Sequence, residues 1–329
     1  VTKCVEQIPR DLDEAASLLP LDWAASEYGR LTSGAALALK SRVLLTYASP
    51  IFNRDWDNPD NKRWELALEA TLAAQNALTS NGLDGCKNAK EWANMLVSSN
   101  NSFHKEAIIV KLLTDVQGSD NEYNGWERAL RMPSQEGLNG YAAPIEIIDA
   151  FPMADGKRPS DKVKIAKGSK SFFLDRDPRF YRTFAFNGVK WGYNGHPDDV
   201  IWGYRWQASK LAYGYSDQNQ IESPAFVRKM SSTETSPTEN FAYSSTDIYE
   251  YRYAELILNL AECYAATGHP DEAVKWLGEI RKRVGIPAGK DGTYGIGMLT
   301  DRHQALEACL YERQIELAYE GKRFWDVWR

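Results

Sequence analysis

The sequence predicts a mainly α-helical protein: tetratricopeptide-like helical hairpins that carry a large, loop-rich insertion with a few short strands. Three observations predict it. Helical periodicity is concentrated at the two ends, in residues 1–83 and 249–329. Near residue 268 two amphipathic segments meet at a glycine and a proline, as in a helix hairpin. Residues 84–248 are instead crowded with turn dipeptides. We read one domain, 1–329, with the scaffold in 1–83 and 249–329 and the irregular insertion in 84–248.

Taken in order, Val5 to Leu19 forms an amphipathic helix that Pro20 closes. Thr32 or Ser33 caps a second helix, Gly34 to Ala48, with Leu37, Leu44, Leu45 and Ala48 on one side, and Pro50 stops it. A third runs from about Asn61 to Leu78 through Trp64, Ala67, Leu68 and Leu72, ending at Ser80-Asn81-Gly82. The clearest segment is Tyr249 to Gly285. Tyr253, Ile257, Leu260 and Tyr264 make one apolar stripe. Gly268 ends that helix, and Pro270 with Asp271 and Glu272 opens the next, which turns Ala273, Trp276, Leu277 and Ile280 back. The order Ala261, Tyr264, Gly268, Ala273 puts small and aromatic residues where two antiparallel helices approach closely.

The last helix, about Asp301 to Glu320, sets charge on its apolar face. Leu306, Leu310 and Leu317 define the expected buried stripe, yet Arg313 lies between them and Glu320 beside it. Glu312, Glu316 and Glu320 stack at successive i+4 positions and repel unless matched. We expect an interhelical salt-bridge lattice, with Arg313, Arg323 and Arg329 as its cations. A carboxylate active site is the alternative.

In the insertion, Glu106 to Leu113 and Phe226 to Met230 read as strands and Ile145 to Phe151 as a short helix. Gly118-Ser119-Asp120-Asn121, Asp155-Gly156, Asp177-Pro178, Asn194-Gly195 and Ser236-Pro237 are loops. So much irregular backbone is either disordered or functional. The aromatics favour function, because disordered segments are poor in them. Residues 191–215 hold seven: Trp191, Tyr193, Trp202, Tyr204, Trp206, Tyr213 and Tyr215. Tyr123, Asn124 and Trp126 form a second group.

Composition excludes several classes. The 329 residues carry 39 basic and 45 acidic side chains, a net charge of −6, which argues against nucleic acid as partner. With 43% apolar and 26% charged residues the chain can fill a core. No run approaches the roughly 18 apolar residues of a membrane helix. Cys4, Cys86, Cys263 and Cys309 lack zinc spacing and are expected to be unpaired. His104, His196, His269 and His303 show no ligand spacing, and no metal or cofactor is expected. H-E-x-x-H, G-x-S-x-G and P-loop motifs are absent, and Gly295-Ile296-Gly297 is only a fragment of a dinucleotide loop. A glycosidase needs just two carboxylates and stays open as the minor enzyme reading. No export signal precedes Cys4, so either the protein is cytoplasmic or its first segment is missing.

Seven stretches in one order resemble the SusD/RagB family, the surface nutrient-binding lipoproteins of Bacteroidetes. They are Asp11–Ala16 leading to Leu19-Pro20, Ala35–Arg42, Asp149–Met153 with Asp155-Gly156, and Arg176-Asp177-Pro178-Arg179. Arg252–Glu255 with Leu258-Asn259 and Ala261-Glu262 follows, then Ile280–Arg283 with Gly285. The most specific is Glu312-Arg313, Glu316-Leu317, Glu320-Gly321, Arg323-Phe324 and Asp326. The resemblance implies a helical scaffold with an irregular ligand-binding portion, and a lipid anchor on the outer membrane. It implies an oligosaccharide ligand, or a peptide in some members, and a SusC-like TonB-dependent transporter as partner. Family chains carry a lipoprotein signal, further N-terminal helices and a continuation past Trp328-Arg329, so this chain resembles an internal portion. Cys4 has no lipobox and is not taken as the acylated cysteine.

A pyranose ring offers an apolar C–H face to a flat aromatic ring and a rim of hydroxyls to planar polar groups. Aromatic stacking on bases contributes about 1–3 kcal/mol. Sugars sit at or below the bottom of that range, so micromolar binding, roughly −8 kcal/mol, needs several platforms. The candidate binding residues are Tyr123, Asn124, Trp126, Trp191, Tyr193, Asn194, Trp202, Tyr204, Arg205 and Trp206. Alternation along an extended segment sets Trp202, Tyr204 and Trp206 on one side. Arg205 and Asn194 are the hydroxyl partners, ahead of Asp198 and Asp199; Asp177 and Arg179 are loop-fixing charges. The same rings also suit a second role, anchoring a large insertion. Trp64, Trp276, Trp325 and Trp328 are expected in the core.

Overall fold

The computed structural model describes residues 2–329 apart from 100, 101, 119, 139, 162, 164–169, 203, 208, 210 and 216–222; for 170, 171, 204–207 and 213–215 it describes the backbone alone. The fold is mainly helical with short two-stranded ladders. Two compact units divide it, one of residues 1–89, 103–111 and 249–329, the other of 90–102 and 112–248.

The first unit is built around the helix Tyr253–Ala266, whose side chains are buried on every side except at Tyr264. It packs against Ser33–Ala48, Lys62–Ser80, Pro270–Arg283 and Arg302–Glu316. The helix is mostly apolar, its buried Glu255 and Glu262 are paired with Arg42 and Arg329, and Ala254, Ala261, Ala265 and Ala266 let four neighbours approach. The helix Thr2–Leu18 lies on Ser33–Ala48. Thr32 Oγ1 accepts from the Ala35 amide and Asn61 from the Arg63 amide, so both middle helices start at side-chain caps. Trp64 is buried among Leu44, Leu45 and Cys263. All four cysteines are free, with Cys4 exposed and the rest buried.

Several boundaries differ from expectation. The segment opening at Tyr249 starts as a strand, Ile248–Arg252, paired with Ala107–Lys111, and turns helical only at Tyr253. The Arg302 helix ends at Glu316, because Tyr319 and Gly321 both take positive φ (63° and 77°). Its buried face is only partly the leucine stripe: Leu317, just past the helix, is buried as expected, but Leu306 and Leu310 are half-buried, and Ala305, Cys309, Glu312, Arg313, Ile315 and Glu316 take the buried positions.

Charge there is matched: the expected Arg313 and Arg329 both form ion pairs, and the cations that meet Glu312, Glu316 and Glu320 are further ones. Arg252 binds Glu106 (3.0 Å), Glu316 (2.8 Å) and Glu320 (2.6 Å). Arg283 joins Glu106 and Glu316, and Arg281 binds Glu312 at 2.7 Å. Arg313 pairs with Asp326 at 2.9 Å, and Arg329 holds Glu262 and Asp326. The lattice therefore draws Arg252, Arg281 and Arg283 from other elements. Its carboxylates are sealed against guanidiniums.

Trp325 and Trp328, which stand beside Phe324, correct another expectation. Trp325 is 67% and Trp328 62% exposed, on the short helix Arg323–Trp328. With Ile51 and Phe52 they border a cavity of about 690 Å³. Trp276 is half-buried rather than enclosed.

The second unit holds several short helices, among them Gly125–Leu130, Ile145–Ala150 and Pro178–Thr183. Two antiparallel ladders join Phe184–Phe186 to Ala225–Val227 and Tyr204–Gln207 to Ala212–Tyr215. The expected strand at 226–230 is thus shorter and shifted, since Met230 takes a positive φ of 63°. Phe151, Phe172, Phe180 and Phe184 fill its interior. Arg176 crosses this core and donates to the carbonyls of Ile148, Phe151 and Phe172, tying loop to helix.

Candidate ligand-binding site

Asn124 caps the Gly125 helix: its side chain accepts from the Trp126 amide at 2.8 Å and donates to the Thr246 carbonyl at 2.7 Å. It is buried, a positioning residue for Trp126 rather than a group open to a ligand. The Trp126 indole N–H donates to the Lys229 carbonyl at 2.9 Å. Its ring stacks on Tyr141, with centroids 5.8 Å apart and 23° between planes. Tyr141 is 51% exposed, so the pair forms a shelf with one indole edge pinned. Tyr123 stands edge-on to Tyr243 at 5.0 Å, its hydroxyl donating to the Gly118 carbonyl.

Trp191 and Tyr193 are enclosed, at 3% and 4% exposed. The cause is Arg131, a fully buried guanidinium lying 4.8 Å from the Trp191 ring and 5.7 Å from Tyr193. Arg131 also bonds Glu127 and the Gly192 and Ser232 carbonyls. The Trp191 indole N–H donates to Ser231 Oγ at 2.8 Å. Burial, with Glu136 and Asp199 nearby, holds the Tyr193 phenol above its ordinary value. These two rings thus follow the anchoring role, packed against Arg131, and Trp191 also lines a small cavity.

Asn194 is exposed on the adjoining turn, and its amide donates to the Thr235 carbonyl. Trp202 is 57% exposed and lies over Gly188, where a Cβ would meet the ring at 3.9 Å. Tyr204 faces Tyr215, Arg205 faces Gly214 and Trp206 faces Tyr213 in the ladder. The side chains of Tyr204, Arg205 and Trp206 lie outside the described residues.

A cavity of about 200 Å³ opens beside Trp191, lined also by Leu96, Pro197, Arg182, Lys190 and Arg228. Sequence reasoning missed Tyr141, Arg182 and Arg228. Nothing local marks them, because each acquires meaning from a partner distant in the chain. Among the described residues no three His, Cys, Asp or Glu side chains gather as metal ligands. Among them, too, no helix is long and apolar enough to cross a membrane.

The model of the SusD family matches residues 105–329. The chain belongs to the SusD family. SusD-like proteins P38 and P2 of Formosa agariphila are 34% and 35% identical to it over 85 and 89 residues, 26% of this chain and 17% of each relative. A SusD-like protein of Bacteroides fragilis shares the fold with a TM-score of 0.75 and 25% identity, over 99% of this chain and 59% of that one. A laminarin-binding SusD-like protein aligns at a TM-score of 0.60 and 20% identity over 99% of this chain and 59% of its own. The chain thus spans less than two thirds of these relatives.

Proposed function

We propose that this SusD-family chain is the binding portion of a non-catalytic oligosaccharide receptor on the bacterial outer membrane. It would belong to a lipid-anchored protein that hands glycan to a SusC-like TonB-dependent transporter. The observation that carries this reading is the pinned Trp126–Tyr141 shelf, with Trp202 as a second open ring. Rigid aromatic faces lose little entropy on ordering and suit the C–H face of a pyranose. A laminarin-binding relative of the same fold supports a carbohydrate cargo. Family membership also supports binding over hydrolysis.

The test is titration calorimetry with a panel of oligosaccharides and of peptides on the wild type and Trp202→Ala. The substitution is expected to weaken oligosaccharide binding about 5- to 10-fold, as loss of roughly 1 kcal/mol of stacking implies, and to leave the melting temperature unchanged. Binding of peptides with no response to any glycan would select a peptide receptor instead.

A further inference from the structure

The walls of the cavity beside Trp191 carry Arg182, Lys190 and Arg228 and no carboxylate. Lys190 is matched by Asp198, and both side chains reach into solvent. Arg182 and Arg228 differ. Nη2 of Arg182 donates to the Ala93 carbonyl and Nη1 of Arg228 to the Lys190 carbonyl, each at 3.0 Å. Among the described residues, that one neutral acceptor leaves most of a five-donor guanidinium open to another partner. Neither cation meets an acidic side chain among the described residues. The nearby Arg131 is already neutralised by Glu127 at 2.7 Å.

Backbone register brings the two together. Phe184 pairs with Val227, and the Arg228 amide donates to the Thr183 carbonyl at 2.8 Å, so Arg182 and Arg228 flank the same end of one ladder. Burial, then repulsion from Arg182 and Arg131, pulls Arg228 down to about 10. Both guanidiniums are half-buried, so each is only partly hydrated, and a like charge beside it adds to the cost of leaving it without a counter-ion. This surplus sits in a chain whose net charge is −6, so it is local. About 200 Å³ is also far more than the roughly 15 Å³ that admits one water.

We propose that this cavity receives an oxyanion substituent of an acidic oligosaccharide, held by the guanidinium forks of Arg182 and Arg228 against the apolar wall of Trp191 and Pro197. Guanidinium forks match the paired oxygens of a carboxylate or sulfate ester. The inference rests on the carbohydrate reading above and names the ligand's charge class.

The test is calorimetry at fixed ionic strength with two matched pairs, oligogalacturonate against its methyl ester and sulfated against desulfated galactan oligosaccharide. Thermal unfolding with and without sodium sulfate, against sodium chloride of equal ionic strength, runs in parallel. One acidic probe is expected to bind about 10- to 100-fold tighter than its neutral partner, the range of one or two charge-assisted hydrogen bonds. Which pair responds distinguishes carboxylate from sulfate. Arg182→Gln and Arg228→Gln should each abolish the preference, with a cooperative unfolding transition in sodium chloride showing that the variants are folded. Equal affinity for acidic and neutral probes, or a preference that survives both substitutions, overturns the proposal. If no oligosaccharide binds but sulfate stabilises the wild type and neither variant, the carbohydrate reading falls and the anion cavity stands. If sulfate too has no effect, the cavity proposal falls with it.

Discussion

Replacing Glu106 with glutamine removes the charge at the centre of the buried lattice. Its Oε1 accepts from Arg252 Nη1 (3.0 Å), Arg283 Nη1 (3.0 Å) and the Ala254 amide (3.1 Å), and its Oε2 accepts from the Cys86 amide at 2.9 Å. Burial by itself would raise this carboxyl. Arg283, Arg252 and the Cys86 amide outweigh that and hold it at about 2, against an ordinary 4.5. At about 1.4 kcal/mol per pH unit, that difference is worth about 3 kcal/mol of stability. The substituted amide would also turn an N–H2 toward donors, which makes 3–5 kcal/mol a fair range for a broken buried pair. The native value lies below the unfolded one, so the contribution is complete above pH 4.5 and is lost as pH falls through 2. Urea unfolding should show Glu106→Gln about 3 kcal/mol less stable at pH 7, with the gap roughly halved at pH 3. A gap under about 1 kcal/mol at pH 7, or one of full size at pH 3, would refute the account of this network.

Asp247 works in the opposite sense. Burial raises it to about 6 against a weaker pull from the Leu113 amide, and neither carboxyl oxygen makes a well-formed hydrogen bond. Its native value exceeds the unfolded one, so its ionisation destabilises the fold above pH 6 and the penalty fades toward pH 4. Asp247→Asn is expected to raise the melting temperature at pH 7.5 and leave it unchanged near pH 4; calorimetric scans across that range check both. Trp191→Ala should cost about 3–5 kcal/mol by chemical denaturation, as a large core deletion does, in contrast to the neutral Trp202→Ala. Thr32→Ala removes a helix cap and should cost about 1 kcal/mol, read as a lower urea midpoint.

Much of the scaffold was legible because helix signals are local. Thr32, Asn61, Gly268 and Pro270 act within a turn of their own backbone, so the helices at 33–48, 62–80, 253–266 and 270–283 could be placed to within a few residues. The strand at 107–111 was legible within Glu106 to Leu113, but most of the shorter strands were not. Phe184–Phe186 is three residues long and exists only because Ala225–Val227 lies beside it. The lattice was legible as a need for cations, since charges at positions 312, 313, 316 and 320 cannot be buried unmatched, but its partners come from helices and strands far along the chain.

The aromatic cluster marks the same boundary. Composition by itself marked residues 191–215 as rich in flat rings, and so as a segment expected to bury or to use them. Tertiary structure decided which rings turn inward. Trp191 and Tyr193 close around Arg131, a residue sixty positions upstream, while Trp126 meets Tyr141 and Trp202 stays open over Gly188. An indole has the same chemistry in either place. Whether it serves the core or a ligand depends on what long-range packing sets against its face, and periodicity carries no record of that.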